Sequence, residues 1–299
     1  MQKKAWRAIL FFVLIIASGA AIWICEQKDW SIGEAIAGAL TAIFIERLWL
    51  AIQDLLDTTN WKTSQRRLKR GRYVNDDTII RISFAYLYRI KTGNKYLLIQ
   101  NARNTGKYQP VGGVYKFTEK EKMYLKNHFQ VKDDDKIPID ESSRNDYRLR
   151  MENRYLRAFM RRFNGKADRE RMDNIGREFR EELIDSGILK WKQIQYRFCG
   201  RHITELSFDE HFQVYELLLA DIVELIPTKE QEQELQALMI TPSEKYRFVT
   251  ADEIKTLGID TRAGDLIESI GDHSKKILEE TEGSTIKAAG AGKVYEVRF

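Results

Sequence analysis

The hexapeptide Arg177-Glu178-Phe179-Arg180-Glu181-Glu182 places three glutamates within five positions of the chain. On a helix, Glu178, Glu181 and Glu182 share one face, because residues three and four positions apart are neighbours. Such carboxylates repel one another unless arginines or a divalent cation neutralise them, and oxygen-rich sites suit Mg²⁺ or Mn²⁺. We therefore predict metal binding at these glutamates, with Arg177 orienting a carboxylate. The alternative is a charged helix face that is simply solvated.

A glycine-containing segment lies upstream of this motif. Gln109-Pro110-Val111-Gly112-Gly113-Val114 is followed by Glu119, six positions after Gly113. This segment and the hexapeptide resemble the opening and closing halves of a Nudix box, Gly-x5-Glu and Arg-Glu-U-x-Glu-Glu. The resemblance covers roughly residues 78–280 and implies an α/β fold, the Nudix α/β/α sandwich around a mixed sheet.

The spacing of the two halves departs from the Nudix pattern. In that family the glutamates matching Glu178, Glu181 and Glu182 hold divalent metal for hydrolysis of nucleoside diphosphates linked to another group. Here 57 residues separate Glu119 from Arg177, many more than in the family. The sequence therefore identifies no catalytic residue, and it favours a Nudix-fold sensor over a hydrolase.

The residues between the two halves, about 121–167, form a charged insert in which arginines alternate with aromatic residues. Arginine forks match phosphate oxygens, and aromatic rings offer stacking faces for bases. The ligand-binding residues predicted from the box and the insert are Gly112, Gly113, Tyr147, Arg148, Arg150, Arg154 and Arg177. The alternative for the later part of the insert is an amphipathic helix with Leu156, Phe159, Met160 and Phe163 facing the core.

Local patterns predict the remaining elements of an α/β domain. Strand-like runs are residues 79–90 and 96–100, taken as a hairpin, then 193–199, 211–219 and a terminal strand at 293–299. Helices are expected at 177–185, 250–257 and 265–279. The expected domain spans 78–280, and residues 281–299 are expected to form a C-terminal tail.

The first 60 residues predict a transmembrane hairpin with spans at about 8–25 and 30–52. The first span is free of charge, whereas the second contains Glu34, Glu46 and Arg47. A cleaved signal peptide and a soluble helical pair are the alternatives. Lysine and arginine are most frequent before the first span and in the basic linker at 61–77, so both termini are expected in the cytoplasm. This linker is also expected to contact anionic membrane lipid.

Small residues recur at four-residue steps in the second span, as Gly33 with Ala37 and Gly38 with Ala42. Faces of this kind allow helices to approach closely in lipid. They indicate either self-association of several chains or packing of the two spans of one chain.

The split box, the phrase Tyr147-Arg148-Leu149-Arg150 and the two spans together resemble the transmembrane Nudix effectors of bacterial CBASS antiphage defence, whose soluble part is the SMODS-associated Nudix domain. The resemblance implies an inner-membrane, multi-pass protein that senses a cyclic di- or trinucleotide from a cGAS/DncV-like nucleotidyltransferase. It also implies oligomerisation on activation and damage to the membrane.

Composition narrows the alternatives. The net charge of +5 argues against DNA or RNA as a partner, and two cysteines exclude a disulfide scaffold. The alternative function predicted from the sequence is that of a membrane-anchored, Mg²⁺-dependent Nudix nucleotide hydrolase.

Overall fold

The computed structural model describes residues 2–56, 61–101, 106–136, 140–141, 143–259, 269–278 and 291–299. The chain divides into two compact units, residues 1–64 and 65–299. The division lies a few residues after the boundary at 60 that the sequence predicts.

The first unit is built from two long helices, α1 (Gln2–Gln27) and α2 (Ser31–Leu56). A three-residue link joins them, and they pack side by side. Thr41 on α2 donates a hydrogen bond to the Ser18 hydroxyl on α1 at 2.8 Å. Among the residues described, one helical stretch, Ala8–Gln27, is long and apolar enough to cross a membrane.

The two small-residue faces of α2 have different surroundings. Gly33 and Ala37 are buried, and a Cβ atom built on Gly33 would lie 2.9 Å from the Cys25 sulfur of α1. A Cβ atom on Gly38 would meet no atom within 4 Å. The first face therefore packs the two helices of one chain together, and the second is open.

The predicted linker at 61–77 begins with helix α3 (Trp61–Arg70).

Within the second unit an eight-stranded mixed sheet forms the centre. Its strands are β1 (Ile79–Arg89), β5 (Gly112–Val114), β6 (Lys132–Asp133), β7 (Arg148–Glu152), β8 (Gln193–Ile203), β9 (Ser207–Asp209), β10 (Val214–Ile226) and β12 (Val294–Arg298). Strands β1 and β10 are parallel, and the other neighbours in this sheet are antiparallel.

A smaller sheet contains β2 (Lys91–Thr92), β3 (Lys95–Gln100), β4 (Tyr108–Gln109) and β11 (Tyr246–Thr250). The further helices are α4 (Glu119–Phe129), α5 (Leu156–Asn164), α6 (Gly176–Phe179), α7 (Lys229–Met239) and α8 (Ala251–Lys255). The hydrophobic cluster around Leu87, Leu98, Ile222 and Ile254 joins the small sheet and α8 to the large sheet. The second unit is thus a mixed sheet with helices, as the sequence predicts, with a smaller second sheet beside it.

Successive side chains of β1 point to opposite faces of the sheet, and the two faces have different environments. Phe84, Tyr86 and Tyr88 are fully buried on one face. Phe84 contacts Phe159 and Phe163 of α5 at ring-centroid distances of 6.0 and 4.7 Å. Leu156 and Met160 are buried with them, so the amphipathic-helix interpretation of this segment is confirmed.

Several local predictions need correction. The predicted hairpin between the 79–90 and 96–100 runs forms only at its turn, where β2 pairs with β3 and the Leu97 N–H donates to the Ile90 carbonyl oxygen at 2.9 Å. Strand β1 itself pairs with β5, β7 and β10 in the large sheet. The insert contributes strand β7 to the large sheet, where it pairs with β1. The expected tail contributes β12 to the large sheet, and residues 281–290 lie outside the described part. The expected 265–279 helix is described only from 269 to 278, where Asp272–Ile277 forms a 3-10 helix.

Candidate binding cleft

A cleft of about 810 Å³ opens on the face of β1 opposite the aromatic core. This volume lies in the range of small-molecule and cofactor pockets. Ser83, Ala85 and Leu87 of β1, with Leu218 and Ala220 of β10, line its floor. Ser83 and Ala85 are only half-buried, because small side chains there leave space above the sheet. The floor follows from alternation on β1, with large aromatic residues on one face and small residues on the other.

An acidic wall is formed by α6 and the π-helical turn Arg180–Ile184 that continues it. The Gly112 N–H donates a hydrogen bond to Glu182 Oε2 at 3.0 Å. A Cβ atom on Gly113 would lie 1.9 Å from Glu178 Oε1, so the Glu178 carboxylate occupies space that only a glycine leaves. The glycine pair of the first half-box thus seats the glutamates of the second half.

Arg177 fixes this wall to its surroundings. Its guanidinium donates to Glu170 Oε1 at 2.8 Å, Glu178 Oε1 at 2.6 Å and the Val114 carbonyl oxygen at 3.1 Å. The prediction that Arg177 orients a carboxylate agrees with these contacts. Glu170 was not identified from the sequence, because it lies outside the box and only the fold brings it to Arg177.

Burial makes the acidic wall electrostatically unfavourable in its charged form. It raises the pKa of Glu182 to about 8, with the Glu178 charge adding to the effect. Burial also raises the pKa of Glu178, while Arg177 opposes the shift. A proton on these carboxylates, or a cationic or hydrogen-bond-donating group of a ligand, would therefore stabilise the wall.

The three glutamates do not form a preformed metal centre. Glu178 is held by Arg177, Glu182 is held by the Gly112 amide, and Glu181 is exposed. Throughout the described ranges, no group of three or more His, Cys, Asp or Glu residues is placed to hold a metal ion. Glu119, the glutamate of the first half-box, begins α4, accepts a hydrogen bond from Asn145 and does not line the cleft. Metal binding at Glu178, Glu181 and Glu182 stays a prediction.

Basic residues line other parts of the cleft, and most were not identified from the sequence. Arg148 lies beside Asp146 at 3.8 Å, whereas Lys245 Nζ donates to the Ser186 carbonyl oxygen at 3.1 Å. His273 and Lys276 extend from the 3-10 helix after the small sheet. Their separation in sequence from the box explains why no local motif indicated them.

The structure brings together four of the seven predicted ligand-binding residues. These four, which line the cleft, are Gly112, Gly113, Arg148 and Arg177. The predicted role of Tyr147 is wrong, because its side chain is fully buried and packs on Phe117, Phe159 and Phe163.

Arg150 and Arg154 also lie outside the cleft lining. Arg150 pairs with Asp135, and Arg154 pairs with Glu152 at 2.5 Å. The arginine and aromatic residues of the insert therefore do not share one surface. Alternation on β7 and the amphipathic pattern of α5 divide them among the cleft, the core and the surface.

A mixed-sheet domain in which the glycine pair and the glutamates of a split Nudix box line one cleft defines a Nudix-like protein. The chain matches the family described as SMODS-associated NUDIX domain over residues 79–278, and it belongs to that family. This membership links the chain to CBASS-type defence systems. No curated protein matches the chain.

Proposed function

We propose that this protein is a membrane effector of a CBASS-type antiphage system whose Nudix-like domain senses a cyclic nucleotide. The cleft supports this proposal most directly. It has an apolar floor, an acidic wall that favours hydrogen-bond donors, and basic residues that favour phosphates. A cyclic di- or trinucleotide carries amino groups and phosphodiesters, so its chemistry complements this arrangement.

In this proposal the ligand comes from a cGAS/DncV-like nucleotidyltransferase and promotes assembly of several chains. The ligand must bind the assembled state more tightly than the resting state, since only differential affinity shifts the equilibrium. Both helices of the first unit cross the inner membrane in this proposal, with both termini in the cytoplasm and the basic segment against anionic lipid. Their assembly disrupts the membrane and kills the infected cell.

The test is binding of cyclic di-AMP, cyclic di-GMP and cyclic trinucleotides to the full chain in lipid nanodiscs, measured by calorimetry. Arg148→Ala should weaken binding by about 1.5–3 kcal/mol, the value of one charge-assisted contact. Arg154→Ala is the matched control, because Arg154 is a surface arginine outside the cleft lining. Absence of binding across the panel, or equal losses in the two variants, would contradict the proposal.

The second candidate function is Mg²⁺-dependent hydrolysis of a nucleotide. The observation that favours it is the placement of Glu178 and Glu182 in one cleft beside Gly112 and Gly113. We expect no multiple-turnover hydrolysis of the nucleotide panel with Mg²⁺. Turnover that EDTA and Glu182→Gln both abolish would establish the enzyme instead.

A further inference from the structure

The acidic wall and the 3-10 helix stand on opposite sides of β1. Gly112 of β5 pairs with Leu87 on one side of β1, whereas β10 pairs with β1 on the other. His202 of β8, the strand beyond β10, bonds to the Lys276 carbonyl oxygen at 2.9 Å. The cleft therefore has glutamates on its β5 side and the His273–Lys276 segment on its β10 side.

Buried side chains fix the 3-10 helix in this place. The Arg89 guanidinium is buried and donates to the Ile277 and Leu278 carbonyl oxygens at 2.6 and 2.9 Å. The Gly271 N–H donates to the Tyr108 carbonyl oxygen at 2.8 Å. A fixed backbone thus presents His273 and Lys276 to the cleft.

The charge of Lys276 is only partly compensated. Burial lowers the pKa of Lys276, while the Asp272 and Glu216 carboxylates oppose that shift. The Glu216 carboxylate is already bonded to Arg81 at 2.8 Å. Burial also lowers the pKa of His273, and Lys276 adds to the effect. An anion bound near these two residues would stabilise the protonated forms of both side chains.

The floor beneath this region offers a hydroxyl group and a further cation. Ser83 is half-buried, and its register partners are Leu218 of β10 and Arg148 of β7. Ser83 lies four residues before Leu87, the partner of Gly112, which is a distance of about 13 Å along an extended strand. The Ser83 end of the cleft is thus separate from the end where Gly112 holds Glu182.

We propose that Lys276, His273 and Arg148 form a phosphate subsite above Ser83, at the far end of the cleft from the glutamates. The subsite rests on the proposed function, since it assigns the phosphate of the sensed nucleotide to this end. The base amino groups then face Glu178 and Glu182. In this arrangement the phosphodiester lies at the Ser83 end of the cleft, about 13 Å along β1 from the Leu87 end, where Gly112 holds Glu182.

The test uses the full chain in nanodiscs with two probes, inorganic pyrophosphate and the cyclic dinucleotide panel. Lys276→Gln should weaken both roughly 10-fold or more, the effect of losing one charge-assisted contact. Lys276→Arg should retain most of the affinity, since it keeps the charge. Lys275→Gln is the matched control, because Lys275 is exposed, pairs with Asp272 and does not line the cleft. Thermal unfolding of each variant checks that it is folded.

The outcomes separate the subsite from the proposed function. Pyrophosphate binding that depends on Lys276, without binding of any cyclic nucleotide, would support the subsite and count against the sensor. Equal affinity of a cyclic dinucleotide for the wild type, Lys276→Gln and Lys275→Gln would overturn the subsite and leave the sensor standing. Failure of both probes to bind the wild type would overturn both.

Discussion

Single residues in the second unit show how burial decides what a charged group can do. Asp146 lies at the cleft with its side chain 10% exposed, 3.3 Å from Lys116 and 3.8 Å from Arg148. Burial raises its pKa to about 6 despite these two cations. Desolvation therefore outweighs the ion pairs at this position.

This shift gives a pH prediction with a definite sign. The folded-state pKa of Asp146 is above its unfolded value of 3.8, so the free energy of unfolding should fall as the pH rises from about 4 to 6. Asp146→Asn should remove this contribution and raise the free energy of unfolding at pH 7.5 by roughly 2–3 kcal/mol. Urea unfolding of the wild type and the variant between pH 4 and 8 measures these free energies of unfolding. A variant less stable than the wild type at pH 7.5 would show that the ion pairs dominate.

At the scale of elements, the short strand β5 controls the position of the acidic wall. A Cβ atom on Gly113 would displace Glu178, whereas one on Gly112 would lie 2.3 Å from the Tyr86 carbonyl oxygen. A side chain can rotate away, but a backbone carbonyl within a sheet cannot. The two neighbouring glycines therefore have separable roles.

We predict different consequences for the two alanine variants. Gly113→Ala should remain folded and weaken cyclic nucleotide binding, because Glu178 must leave its place beside Arg177. Gly112→Ala should lower the free energy of unfolding by about 1–3 kcal/mol or more, the usual cost of overpacking. Thermal denaturation and ligand titration distinguish them. Equal stability of Gly112→Ala and the wild type would show that β5 can move away from β1.

The positions of helices and strands were more predictable from the sequence than the pairing of the strands with one another. The strand-like run 79–90 located β1, and apolar spacing located α5 because Leu156, Phe159, Met160 and Phe163 face one core. The box located Gly112, Gly113 and Arg177 because each half of the box is a contiguous sequence motif. His273 and Lys276 could not be found in this way, since register between distant strands places them. Tyr147 was misassigned because side-chain direction on its segment depends on the pairing of β7 with β1.

At the scale of the whole molecule, the proposed output depends on the open face of α2. The Gly33 and Ala37 face already packs on α1, so it cannot contact another chain at the same time. The Gly38 face has space around it. Of the two small-residue faces of α2, the one with Gly38 and Ala42 is therefore the face on which a second copy could approach closely.

Gly38→Leu should insert normally and bind ligand normally, yet block ligand-dependent leakage across the inner membrane. Leucine preserves hydrophobicity and adds bulk where another helix must approach. Dye permeability in cells that produce the cyclic nucleotide measures the effect. Ala39→Leu is the control on a neighbouring exposed position of the same helix. Leakage that persists in Gly38→Leu, or in a chain whose two helices are replaced by an unrelated transmembrane hairpin, would show that the helices serve only as a membrane anchor.

Strand β12 has a practical consequence for the extent of the domain. The family match ends at residue 278, whereas β12 spans Val294–Arg298, pairs with β8 and places Val297 and Phe299 against Gly176 at the start of α6. A protein truncated at the family boundary would expose the unpaired backbone of β8, and such sheet edges recruit other chains into aggregates. Oligomers observed with a truncated domain would then be an artefact of the missing strand, and assembly should be studied with residues 291–299 present.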